Sequence, residues 1–97
     1  MAIEPVTVAV INFNGEDIIV ETLSSIKRLN YPDLRVILID DGSTDRSVEL
    51  VRRGYPDVRI FEMGRNTKRL NMLRNIGIRE ATTDLVFVTD NDVVFQP

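Results

Sequence analysis

Four short runs of Val, Ile, Leu and Phe alternate along the chain with stretches of mixed polarity. Each run is bounded by turn residues, which predicts a strand; the four are VTVAVI at 6–11, RVILID at 35–40, VRIF at 58–61 and LVFVTD at 85–90. The first, second and fourth are almost continuously apolar, so we expect both faces of these strands to be covered. The third alternates apolar and polar residues, which predicts a position near an edge of the sheet.

The gaps between these runs show helical spacing. In the first gap Ile19, Leu23 and Ile26 follow an i, i+4, i+7 pattern, and similar spacing recurs at 48 and 51 and at 70, 73 and 77. The order βαβαβαβ is typical of α/β domains with right-handed crossovers. We therefore predict one three-layer α/β/α domain over residues 1–97, with a mainly parallel four-stranded sheet. Ser43 or Thr44 is the expected N-cap of the second helix.

Composition narrows the class of protein. The chain has 97 residues, 43% of them hydrophobic and 28% charged, as expected for a packed domain. Its 12 basic and 15 acidic residues give a net charge of -3, which argues against a nucleic-acid partner. No apolar run approaches the about 18 residues of a membrane span, and MAIEPVTVAV lacks the positive charge of a signal peptide. A cytoplasmic location is expected, with a peripheral membrane location open for a longer protein.

The chain contains no cysteine and no histidine. Thiolate zinc sites, cysteine nucleophiles and Ser-His-Asp sites are therefore excluded, and any metal must be held by oxygen. The chain also lacks the G-x-x-x-x-G-K-[ST] string of P-loop proteins and the glycine-rich fingerprint of dinucleotide-binding folds.

Two pairs of aspartates follow predicted strands. Asp40 and Asp41 end the second run, and Asp90 and Asp92 end the fourth. Because the carboxyl ends of parallel strands meet at one edge of a sheet, we expect all four to share a cleft. Clustered carboxylates favour a hard cation such as Mg²⁺ or Mn²⁺, which often shares its coordination shell with substrate phosphates. Taken alone, DND is more typical of a turn than of a metal site, and DDGSTD is as typical of a turn followed by a helix cap as of a binding site.

A basic segment, residues 65–79, precedes the last predicted strand. Such charge usually marks a solvated helix face. Its position also allows Lys68, Arg69 or Arg74 to reach a diphosphate or a base in the cleft, and we include Lys68 and Arg74 in the candidate nucleotide site.

Phe13 and Asn14 follow the first predicted strand. Asn14 is expected to cap the next helix or to point into the site, with capping the more common use. Phe13 could stack on a ring, although a buried position is more common for an aromatic side chain.

These motifs, in this order, resemble the N-terminal nucleotide-binding half of glycosyltransferase family 2, which has the Rossmann-like GT-A fold. The resemblance spans nearly the whole chain and is carried by the strings VTVAVINFN, VILIDDGSTDRS, NMLRNIGI and DLVFVTDND. It implies a nucleoside-diphosphate-sugar donor and an acceptor that is a saccharide, a lipid or a protein. The string DDGSTD is its most specific part, and DND matches the D-x-D motif of the family.

The resemblance also implies roles for individual residues. Asp41 would meet the base, Asp90 the ribose region, and Asp92 would bind Mg²⁺ or Mn²⁺ bridging the diphosphate. Phe13 and Asn14 stand where the first-strand motif of the family meets the nucleotide. The catalytic base of inverting members comes from the acceptor-binding half, so we expect it beyond residue 97. The chain is accordingly expected to be a fragment that is inactive by itself.

One loop departs from the family pattern. The family usually has Asn-x-Gly before an Ala-Arg-Asn-x-Gly string, whereas here Asn66 is followed by Thr67 and Lys68, and Leu73 replaces the small residue before Arg74. The bulkier and more basic loop is expected to alter donor choice.

Two other functions remain open from the sequence. VILIDD and DLVFVTDND are similar to the acidic pair and the phosphorylated aspartate of receiver domains, but the acidic pair of a receiver should end the first strand. A non-catalytic assembly module of the same fold is the other alternative, and it could self-associate through an exposed sheet edge.

Overall fold

The computed structural model describes residues 4–91 and contains seven elements. In chain order these are β1 (Val6–Asn12), α1 (Ile19–Lys27), β2 (Leu34–Asp40), α2 (Ser47–Gly54), β3 (Arg59–Glu62), α3 (Leu70–Glu80) and β4 (Leu85–Asp90). The predicted alternation of strands and helices is confirmed, and each strand begins and ends within one residue of its predicted bounds.

The four strands form one sheet in the order β3-β2-β1-β4, and every pairing is parallel. Successive residues of a strand face opposite sides of a sheet, so β1 contributes to two separate cores. Val8 and Val10 pack with the apolar faces of α1 and α2, whereas Ala9 and Ile11 pack with Leu73 of α3. The predicted three-layer α/β/α architecture is therefore confirmed.

Helix α3 packs close to the sheet at a pair of small residues. A Cβ atom added to Gly77 would lie 2.9 Å from the Cβ of Ala9, a separation too short for two carbon atoms. A glycine at this point of the helix therefore lets α3 pack directly against β1, at some cost in helix propensity.

One of the two edge strands of the described sheet is less buried than predicted. β3 lies at an edge, as predicted. β4 lies at the other edge, and Leu85 and Phe87 are 50% and 52% exposed. The expectation that both faces of β4 are covered is therefore wrong for residues 4–91. Apolar composition indicates that a strand favours burial, but the strand order decides which helices reach it.

The start of α2 also differs from the prediction. The helix begins at Ser47, and no side chain caps it from the N-cap position. Ser43 and Thr44 are therefore not its caps; the hydroxyl of Ser43 donates instead to the carboxylate of Asp40. Among residues 4–91, none of the helices has the length and apolar character needed to cross a bilayer.

Candidate functional site at the carboxyl edge of the sheet

Asn12 is wholly buried at the end of β1 and joins three neighbouring elements. Its side-chain amide donates to Oδ1 of Asp40 and to Oγ of Ser47, both at 2.9 Å. Its Oδ1 accepts a hydrogen bond from the side-chain amide of Asn91 at 2.8 Å. The loop that follows passes so close that a Cβ at Gly15 would lie 2.4 Å from this oxygen. Our sequence reasoning missed Asn12; the available signal was a polar residue ending an otherwise apolar strand.

Asp40 is a structural residue of this edge. Its carboxylate accepts hydrogen bonds from the backbone N–H and the hydroxyl of Ser43 at 2.9 and 2.6 Å, in addition to the one from Asn12. Asp40 is aligned with Asn12 across the strand pair, so both side chains lie on the α1 and α2 side. The expectation that all four aspartates share a cleft is therefore wrong for Asp40. Within residues 4–91, no three acidic side chains gather as a metal site.

Asp41 lies on the opposite, α3 side and holds the loop before α3. Its Oδ1 accepts the N–H and the hydroxyl of Thr67 at 3.0 and 2.6 Å, and its Oδ2 accepts the N–H of Lys68 at 3.1 Å. Burial raises the pKa of Asp41, but the bonds from Thr67 and Lys68 together outweigh burial and leave the pKa below its ordinary value. Asp41 is therefore an ionised acceptor at neutral pH. Thr67 was not predicted as a site residue. The available signal was its position in the loop that departs from the family pattern.

A shallow hollow of about 270 Å³ opens beside Asp41 on the α3 side. Phe13, Asp41 and Lys68 line it, together with Ile11, Asn66, Leu70 and Leu73. Phe13 is 42% exposed, so its ring is accessible and not buried in the core. The structure thus brings together three of the residues proposed from the sequence: an aromatic ring, a carboxylate and an ammonium group.

Asn14 connects two loops. Its Oδ1 accepts the N–H of Thr44 at 2.8 Å and that of Asp45 at 3.3 Å, while its own N–H donates to Oγ of Ser43 at 2.9 Å. The expectation that Asn14 caps α1 is therefore wrong, since no side chain caps that helix from the N-cap position. Asn14 instead fixes the loop that carries Phe13 against the loop after β2.

The remaining predicted residues lie outside the hollow. Asp90 is exposed at the end of β4 and is aligned with Ile11. This alignment places Asp90 on the α3 side of the sheet, where the hollow also lies. Its carboxylate accepts no hydrogen bond from any residue between 4 and 91. Arg74 is exposed on α3 and does not line the hollow. Asp92 lies outside the described residues.

Comparison with known proteins decides the family. The sequence model of glycosyl transferase family 2 matches residues 7–97. The chain belongs to this family. Poly-β-1,6-N-acetyl-D-glucosamine synthase of Staphylococcus epidermidis is 32% identical to this family 2 chain over 84 residues, which are 84% of this chain and 20% of that protein. The synthase of the same name from Staphylococcus aureus is 32% identical over 94 residues, which are 95% of this chain and 23% of that protein. The chain thus spans less than a quarter of the length of these relatives.

Solved structures of similar proteins have the same fold as this family 2 chain. The mannosyltransferase PcManGT from Pyrobaculum calidifontis, in complex with GDP-Man and Mn²⁺, matches with a TM-score of 0.87 and 30% identity over 99% of this chain and 30% of its own. TarS of S. aureus, in complex with UDP, matches with a TM-score of 0.83 and 25% identity over 91% of this chain and 27% of its own. The GT-A fold and the family predicted from the sequence are confirmed.

Proposed function

We propose that the protein transfers a sugar from a nucleoside-diphosphate-sugar to an acceptor, and that this chain supplies the donor-binding part of the site. One observation carries the proposal: Phe13, Asp41 and Lys68 line a single hollow, and Asp90 lies at the same sheet edge on the same side. Membership of glycosyl transferase family 2 supports it, as do the GDP-Man and UDP complexes of the similar structures. The acceptor is a saccharide, a lipid or a protein.

Each residue has a proposed role that matches its chemistry. Asp41 accepts a hydrogen bond from the base, because an ionised carboxylate can only accept. Phe13 stacks on the ring of the base. Asp90, whose carboxylate accepts no hydrogen bond from the described residues, accepts from the ribose hydroxyls, and Arg74 offsets the charge of the diphosphate. Asn14 supports the site indirectly by holding the loop of Phe13.

A divalent cation is part of the proposal. The chain has no histidine or cysteine, so any metal ligand that this chain supplies is an oxygen atom, and exposed carboxylates such as that of Asp90 suit Mg²⁺ or Mn²⁺. Asp92 is the proposed ligand, on the motif alone. When bound, such an ion would offset the charge that develops on the departing diphosphate. The Mn²⁺ in the PcManGT complex makes Mn²⁺ the first ion to test.

The receiver-like alternative has less support. Asp40 and Asp41 end the second strand of the chain, and both carboxylates already accept three hydrogen bonds from the protein. A phospho-acceptor pair needs oxygen atoms available to a cation. Family membership also favours sugar transfer.

Calorimetric titration of UDP and GDP, with and without MnCl₂, tests the proposal. We expect binding that weakens at least about tenfold, or about 1.4 kcal/mol, when Mn²⁺ is chelated or Asp92 is replaced by Asn. Asp41→Asn should weaken binding, whereas Asp84→Asn, at the opposite end of β4, should not. Binding that is indifferent to chelation and to Asp92→Asn would contradict the metal role. Sugar transfer by the 97-residue chain alone would contradict the expectation that it is inactive by itself.

Self-association is a second proposal and concerns β4. This strand lies at the sheet edge within residues 4–91, and Leu85 on it is 50% exposed. Exposed apolar edges favour pairing between copies. We expect light scattering to show oligomers that Leu85→Lys reduces, while Val20→Lys, at a 41% exposed position on α1, leaves them unchanged. A monomer at high concentration would contradict this.

The cytoplasmic location stays a prediction.

A further inference from the structure

Lys68 has a backbone conformation that is uncommon for its residue type. Its φ angle is +56°, in the left-handed region where the Cβ of an L-residue approaches the following carbonyl oxygen. Glycine adopts this conformation without that clash. Residues in this region persist where the surrounding structure fixes them, and they cluster at active sites and ligand-binding loops.

The loop around Lys68 is held in this conformation by Asp41. The carboxylate binds the N–H groups of Thr67 and Lys68 on two successive residues, at 3.0 and 3.1 Å. The Lys68 side chain is left exposed at the hollow, and it forms no ion pair with any residue in the part of the chain that the structure describes. The charge of its ammonium group is therefore available to a ligand.

The sheet order separates Lys68 from the acidic end of β4. Asp41 follows β2 and Asp90 ends β4, with β1 between them. Neighbouring strands lie about 4.8 Å apart, so the two aspartates are about 10 Å apart across the sheet, comparable to the length of a nucleotide. Lys68, whose backbone N–H donates to Asp41, therefore lies at one end of the site, and Asp90 lies at the other.

Resting on the proposed function, we infer that Lys68 is a specificity-determining residue that reads the base of the donor. Asp41 has about one of its four lone-pair sites left after its three protein bonds. That site accepts the ring N–H of a base, and the Lys68 ammonium group donates to the carbonyl oxygen next to it. Uracil and guanine carry an N–H beside a carbonyl on one edge. Cytosine and adenine carry the reverse pattern, a ring nitrogen that accepts and an amino group that donates, so neither group can pair with a carboxylate and an ammonium group in these positions.

The test compares variants of Lys68 against UDP, GDP, CDP, ADP and inorganic pyrophosphate, all with Mn²⁺, by calorimetry. We expect the unmodified chain to bind UDP or GDP at least tenfold more tightly than CDP and ADP. Lys68→Gly and Lys68→Asn both tolerate a left-handed φ, so both should fold. Both should lose most of this preference while pyrophosphate binding is unchanged, and Lys68→Arg should retain it. Arg79→Gly, on the far end of α3, is the control for loss of positive charge.

The outcomes separate this inference from the proposed function. If Lys68→Gly keeps the preference, or weakens pyrophosphate as much as the nucleotides, Lys68 does not read the base and the inference is wrong. If the unmodified chain binds no nucleotide at all, the proposed function fails for this chain and the inference fails with it. Urea unfolding of Lys68→Gly provides a second readout: it should be at least as stable as the unmodified chain, so that lost binding is not lost folding.

Discussion

The side-chain amide of Asn91 donates to Oδ1 of Asn12 at 2.8 Å, which ties the middle residue of the DND string to the buried end of β1. The backbone carbonyl of Asn91 also accepts the hydroxyl of Thr22 in α1 at 2.5 Å. Two elements thus fix the residue between the aspartates. The asparagine of DND therefore has a structural role.

Removal of this pair should destabilise the fold unequally. Asn12→Ala would remove one buried hydrogen bond from Asp40 and one from Ser47, and we expect a loss of about 3 kcal/mol in the free energy of unfolding. Asn91→Ala removes a partly exposed partner and should cost about 1 kcal/mol. Urea denaturation measures both values.

The double variant shows whether the two residues act together. Because they share a hydrogen bond, Asn12→Ala with Asn91→Ala should cost less than the sum of the single changes by at least about 0.5 kcal/mol. Asn30→Ala, at an exposed position outside the helices and strands, is the matched control and should change stability by less than about 0.5 kcal/mol. Strictly additive losses would show that the bond contributes nothing to stability.

Alanine substitutions at three glycines distinguish the cost of backbone strain from the cost of a steric clash. Gly42 has φ +77°, and a Cβ there would lie 2.1 Å from the carbonyl carbon of Arg65. Gly64 has φ +78° with open space around it, and Gly54 in α2 also has open space but no positive φ. We expect alanine to cost about 3 kcal/mol or more at Gly42, about 1 kcal/mol at Gly64, and to stabilise by about 0.5 kcal/mol at Gly54.

Thermal or urea unfolding of the three alanine variants checks this order. Equal losses at Gly42 and Gly64 would mean that the loop at Arg65 moves away freely. In that case the crossing of the two loops would not be a fixed part of the site.

Acid should destabilise the protein through Asp41 and Asp45. Burial raises the pKa of Asp45, but bonds from Ser47 and from the N–H of Glu16 outweigh burial, so its pKa, like that of Asp41, lies below the ordinary value of 3.8. The unfolded chain therefore takes up protons first. The stability that both groups contribute is complete above about pH 4 and is lost as the pH falls through their folded pKa values.

Urea unfolding from about pH 2.5 to about pH 6 tests whether Asp41 and Asp45 cause the acid sensitivity, because this range spans their titration. Asp41→Asn and Asp45→Asn should each flatten the acid limb of the stability curve. Asp84→Asn, which removes an exposed carboxylate with no hydrogen bond to a described residue, should leave the limb as steep as before. An unchanged limb in the first two variants would assign acid sensitivity to other groups.

Local pattern predicted the strands, but the side that each polar residue faces depends on register. Asp40 and Asp41 are neighbours in sequence, yet one is a structural residue on the α1 side and the other faces the hollow. A shift of one residue reverses the side of a strand residue, and the apolar run alone does not show which aspartate is on which side. The exposure of Phe87 on β4 likewise depends on strand order, which the sequence pattern does not contain.

The bond from Thr67 to Asp41 leads to a last prediction, because it links the electrostatics of the site to the loop that carries Lys68. Thr67→Val keeps the shape of the side chain but removes the hydroxyl that lies 2.6 Å from the carboxylate. The pKa of Asp41 should rise, since one of the bonds that lower it is lost, and stability should fall by about 1 kcal/mol.

Carboxyl NMR titration measures the pKa of Asp41, and urea unfolding measures the stability. Thr44→Val is the matched control, because the Thr44 hydroxyl lies at 3.5 Å from its partner Asn14 and contributes little. Thr67→Ser should restore both values, since it returns the hydroxyl. If Thr67→Val leaves the Asp41 titration unchanged, the backbone N–H groups of Thr67 and Lys68 alone hold the carboxylate ionised, and the loop owes its conformation to them.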